Sequence, residues 1–81
     1  MARYYIHLDN GSGCQEDESG ADYASDGAAR ERAINAGAAI IAEELNAGQA
    51  EVALTLFVEN ADHGRIFTIP MSAAVGDGTG D

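Results

Sequence analysis

The chain has 81 residues and carries 14 acidic against 4 basic side chains, for a net charge of −10. One domain is the most this length supports, and its core must be small. The balance of charge excludes a basic nucleic-acid footprint and attraction to an anionic membrane surface.

There is no lysine, and the four arginines (Arg3, Arg30, Arg32, Arg65) are scattered. Ile, Leu, Val and Phe supply only 15 residues, so composition alone sits near the boundary with disordered chains. Order must come from pattern. No apolar run is long enough to span a bilayer, and no secretory leader is read at the N-terminus. A single cysteine, Cys14, offers neither an internal disulfide nor a zinc set. The expected compartment is the cytoplasm.

The elements follow in chain order. Tyr4, Ile6 and Leu8 alternate with Arg3, Tyr5 and His7, which predicts a first strand ending at Asp9. Asn10-Gly11 predicts a tight turn. Residues 11–20 hold no large apolar side chain, so a return strand is expected only as a short piece, near 14–17 or 21–23. Ser25 or Asp26 can cap a helix over about 26–47. Its apolar face is Ala29, Ala33, Ile34, Gly37, Ile40, Ile41 and Leu45, and Gly48 supplies the stop. Val52, Leu54, Leu56 and Val58 make the next strand the clearest in the chain. A turn over 60–64 leads into a last strand, Arg65 to Met71, with Pro70 marking its end or a sheet edge. The expected fold is α+β: a two-layer ββαββ arrangement, one helix on one face of a mostly antiparallel four-stranded sheet. It fills a single domain over 1–75, followed by a flexible acidic, glycine-rich tail over 76–81.

The ordered set Arg3-Tyr4-Tyr5-Ile6-His7-Leu8, Asn10-Gly11, Asp17-Glu18-Ser19-Gly20, Ala28-Ala29-Arg30 and Gly64-Arg65-Ile66-Phe67-Thr68-Ile69-Pro70 resembles a family of short alphaproteobacterial proteins of unknown function. The resemblance covers about residues 2–75 and implies no activity. Where such proteins place Leu-Pro-Asp before the helix, this chain has Tyr23-Ala24-Ser25. A weaker resemblance, over residues 3–45, is to HicB-type antitoxins, which implies a protein partner.

The candidate residues are weighed on their chemistry. His7 lies on the face away from Ile6 and Leu8, beside Arg3 and Tyr5. With Thr55 and Phe57 these form an expected interaction strip: Arg3, Tyr5, His7, Thr55, Phe57. No nucleophile or orienting carboxylate is identifiable beside His7, so no catalytic residue is assigned. His63 reads as a turn residue chosen for its backbone. Glu16-Asp17-Glu18 reads as a solvated acidic loop. From Asp9 the calcium-loop positions fall on Gly11 and Gly13, so no metal ligand is assigned. Gly11-Ser12-Gly13 lacks the last glycine of a dinucleotide loop, and no cofactor is expected. Cys14, among acidic neighbours, reads as an incidental thiol.

The expectation for function is a non-enzymatic, self-associating interaction module. The homodimer would form through the open sheet face or along the edge of a hairpin strand, with 52–58 as the candidate edge. The alternative is an antitoxin-like or regulatory protein that neutralises a basic protein partner.

Overall fold

The computed structural model describes residues 1–76. The elements are β1 (Ala2–Asp9), β2 (Cys14–Gln15), β3 (Ala21–Tyr23), α1 (Asp26–Asn46), β4 (Glu51–Glu59) and β5 (Arg65–Ala74). The fold is α+β, one helix on an open antiparallel sheet ordered β2-β1-β4-β5, with β3 also on β1. The sheet has five strands rather than four. The weak second strand is two short pieces on one edge of β1. β2 pairs Leu8 and Asp9, and β3 pairs Ala2 to Tyr4. Without large apolar side chains, residues 11–20 cannot sustain one continuous strand, so the chain pairs only at the two ends of β1.

β1 and β5 flank β4 on both sides, so β4 is central. The expected edge at 52–58 is corrected: the free edge is β5. Its last residues also run further than expected, to Ala74, and the Val75 N–H donates to the Ala50 carbonyl at 2.7 Å. Pro70 sits mid-strand, opposite Thr55. A proline there is tolerated because one side of β5 has no partner strand. Of the tail expected over 76–81, all but Gly76 lies outside the described residues.

The helix begins where the sequence allows it. Ser25 is the N-cap, and its Oγ accepts the Ala28 N–H at 3.1 Å. Asp26 opens the first turn and accepts the Tyr4 hydroxyl at 2.5 Å, fastening the helix to β1. That hydrogen bond to Asp26 raises the Tyr4 hydroxyl above its ordinary pKa, with burial and the Asp26 charge acting the same way. At the other end, Gly48 takes φ +103, and Gln49 and Gly48 donate to the Glu44 and Leu45 carbonyls at 3.1 Å each. This double bond set satisfies carbonyls that the helix leaves open, and it requires the left-handed glycine.

The core lies between α1 and one sheet face. Tyr4, Leu54, Leu56 and Val58 meet Ala29, Ala33 and Ile41. Leu56 and Val58 are fully buried, each contributing about 1.5–3 kcal/mol. Alternation then sends Tyr5, His7, Asp9, Thr55, Phe57 and Glu59 to the face without a helix.

Candidate functional site

The open face is a cleft of about 430 Å³, lined by His7, Cys14, Glu16, Asp17, Glu18, Phe57, Glu59, His63 and Arg65. Four strands, the loop after β2 and the turn before β5 converge on it. In register, His7 lies opposite Phe57, and Tyr5 opposite Glu59. A register shift at Val58/Glu59 places Arg65 opposite Glu59. Without that bulge, Ile66 would take the position. The irregularity thus delivers a cation to the open face and keeps an isoleucine out of it.

Glu59 is the centre of the polar network. One carboxylate oxygen, Oε1, accepts from His7 Nε2 at 3.0 Å and from His63 Nδ1 at 3.1 Å. The Glu59 and His7 side chains are 18% and 13% exposed, so the bond between them sits largely out of water, whereas His63 reaches Glu59 from the exposed side. These two hydrogen bonds hold the Glu59 carboxyl below its ordinary pKa; burial acts in the opposite direction and is outweighed. His7 is fixed from behind. The backbone N–H of Asp17 donates to His7 Nδ1 at 2.9 Å. Nδ1 therefore keeps its lone pair, the ring proton is on Nε2, and it is Nε2–H that faces Glu59.

This tautomer bears on metal chemistry. A neutral histidine that coordinates a metal through Nε2 carries its proton on Nδ1, where it needs an acceptor. Here Nδ1 meets a donor. Among the described residues, no three His, Cys, Asp or Glu side chains are arranged to hold a metal ion.

Asp17 does structural work in the loop that was expected to be merely solvated. Its carboxylate accepts the Ile6 N–H at 3.2 Å and the Gly20 N–H at 2.9 Å. Ile6 lies between the stretches of β1 that β2 and β3 pair, so Asp17 takes the place of the missing strand. Burial pushes the Asp17 carboxyl up, but the N–H groups of Gly20, Ile6 and Ser19, with His7 nearby, bring it below its ordinary pKa.

His63 is also more than a turn residue. It has φ +65, the one non-glycine residue with positive φ among those described. Such a conformation costs about 1 kcal/mol or more outside glycine. The strained turn is held by Asn60, whose Oδ1 accepts the N–H groups of Asp62 and Gly64 at 3.0 and 2.8 Å. In that position the His63 ring stacks on Tyr5, with centroids 4.4 Å apart and 27° between planes. The Arg65 guanidinium lies 4.1 Å from the centre of the Phe57 ring, a cation–π contact.

Of the five residues expected on the strip, Tyr5, His7 and Phe57 are brought together. Arg3 is at one end, bound to Asp22 Oδ1 at 3.1 Å and to the Ser19 carbonyl at 2.8 Å. Thr55 is at the other end, beside Asp9 and Pro70 and outside the cleft. Glu59, His63, Asp17 and Arg65 were not anticipated there. Glu59 shares the parity of Phe57 and stands four residues before His63, which was the one signal for it. The Asp17-Glu18-Ser19-Gly20 step of the family resemblance took in Asp17, but nothing in the sequence separated it from Glu18. Cys14, on β2, is exposed on the cleft wall.

A family model described as a domain of unknown function, DUF6894, matches residues 3–72. The chain belongs to that family. The DUF6894 match takes in every residue that lines the cleft, from His7 through Arg65, and ends within β5. No curated protein and no solved structure matches the chain. Among the described residues, no helix is long and apolar enough to cross a membrane.

Proposed function

We propose that this DUF6894 protein is a non-enzymatic interaction module of the cytoplasm whose working surface is the open-face cleft, and that it associates with itself. The observation that carries the reading is the pre-ordered cleft floor, with Tyr5 beside it under His63. Tyr5, His7, Phe57 and Glu59 are each only partly buried, and each is held in one orientation by His63, Asp17 or Arg65. Fixed side chains lose little entropy on binding, which favours a recognition surface. The face is preferred over the β5 edge because Pro70 interrupts that edge, and proline is a common guard against strand pairing. A dimer is the simplest closed form. Light scattering across a dilution series at low and moderate salt tests it. Mass should rise toward that of a dimer, more so in salt, which screens the −10 charge on each copy. A monomer at about 0.1 mM in both buffers would contradict self-association, since even weak specific pairs populate at that concentration.

A second reading has its own observation. Glu16 and Glu18 are exposed on the cleft wall and enter no ion pair among the described residues. This fits a basic protein partner, in the manner of the HicB-type antitoxins that the first half of the chain resembles. Such a complex would weaken as salt rises, opposite to the dimer.

A further inference from the structure

The cleft is electrically divided. On one wall, between β2 and β3, Glu16 and Glu18 are exposed. On the opposite wall, at the β4–β5 end, His63 and Arg65 are exposed. Arg65 enters no ion pair among the described residues, and its guanidinium rests on Phe57 instead. Glu59, opposite Arg65 in register, is negative as well but is largely buried beneath the histidines that donate to it, so the exposed charge of this wall is that of Arg65.

A surface with opposite charges on its two sides is complementary to a copy of itself. A two-fold axis lying in the plane of contact, between the two walls, sets the positive wall of each copy against the negative wall of the other. We infer that two copies of this chain pack open face to open face, with Arg65 of each copy against Glu16 and Glu18 of the other. This rests on the self-association reading above and adds the register. The contact is polar and small in apolar content, because the exposed large hydrophobic residues among those described are Met1 and Val75, away from the cleft. Orientation therefore comes from charge pairs at contact distance, which salt screens less than the long-range repulsion between the two copies.

Charge reversal tests this, because local pairing and overall repulsion predict opposite signs. Glu18→Arg replaces one negative charge with one positive, moving the net charge from −10 to −8. If overall repulsion governs association, this variant dimerises more tightly. Face-to-face pairing predicts the reverse, a dissociation constant about tenfold weaker, since the two-fold axis repeats each lost pair. Arg65→Glu should weaken the dimer as well. The double variant Glu18→Arg/Arg65→Glu has the wild-type net charge and should return to within about threefold of wild type. Sedimentation equilibrium reads all four proteins, with circular dichroism confirming that each is folded. A tighter or unchanged Glu18→Arg dimer, or a double variant that fails to recover, overturns the register while leaving self-association standing. A monomeric wild type removes both.

Discussion

Gly37 is buried at the middle of the helix face, against Leu54, Leu56 and Met71. A Cβ built there would stand 2.6 Å from Met71 Sδ, 2.7 Å from Leu56 Cδ1 and 3.4 Å from Leu54 Cδ1. Comfortable carbon contacts begin near 3.5 Å. The first two atoms are at the ends of flexible side chains. Met71 is half-buried and can turn away, whereas Leu56 is fully packed. For Gly37→Ala, overpacking costs about 1–3 kcal/mol and helix propensity returns about 1 kcal/mol, a net loss of about 0–2 kcal/mol. Gly37→Leu pushes three further carbons into the same space and should lose about 3 kcal/mol or more. Ala39→Leu, on the exposed side of the same helix, should stay within about 0.5 kcal/mol. At about 4–8 °C per kcal/mol for a domain this small, Gly37→Leu should melt at least about 12 °C below wild type. Ala39→Leu should lie within about 4 °C of it. Thermal melts followed by circular dichroism decide. Similar melting temperatures for the two leucine variants would mean that the helix does not approach the sheet through Gly37.

Acid should weaken the fold through Asp17 and Glu59. Both carboxyls are depressed in the folded state, so the unfolded chain takes up its protons first as pH falls, near the ordinary values of 3.8 and 4.5. Their stabilisation is complete above that range and is lost as pH drops through the folded values. Relief of the −10 charge opposes the loss, so the reading is the difference between wild type and Glu59→Gln, which should shrink below about pH 4.5 and not above pH 6. Asp17→Ala should leave the Ile6 and Gly20 N–H groups without their acceptor, destabilise by about 1–3 kcal/mol, and speed amide exchange at both residues; unchanged exchange would mean that the loop is not tied there. His63→Gly should be more stable than His63→Ala by about 1 kcal/mol, because only glycine relieves the positive φ, and equal denaturation midpoints would argue against strain.

The helix and the long strands were legible because few apolar residues stand at the right spacing. Ala29, Ala33, Gly37 and Ile41 are buried as the wheel requires, and Leu54, Leu56 and Val58 as alternation requires. The edge on β1 was not legible, because an aspartate side chain stands in for a strand and leaves no periodic signal. The place of β4 was misread for a related reason. Its apolar face says that it is covered, but not how many neighbours its backbone has. In the cleft, parity placed Tyr5, His7 and Phe57 on one face, whereas Arg65 reached it through a bulge that no local pattern announces. His63 and Glu59 met because a five-residue turn returns the chain over its own strand. Three-dimensional closure of that kind is invisible to spacing along a single element.

Binding through the open face is the proposal on which the others rest. Its most direct test is a dilution series followed by nuclear magnetic resonance, with resonances assigned on both faces. Self-association through the cleft predicts concentration-dependent shifts at Tyr5, His7, Phe57, His63 and Arg65, and constant positions for Ala39, Ala42 and Glu43 on the exposed side of the helix. Shifts confined to the helix or to the β5 edge, with the cleft residues unmoved, would contradict it.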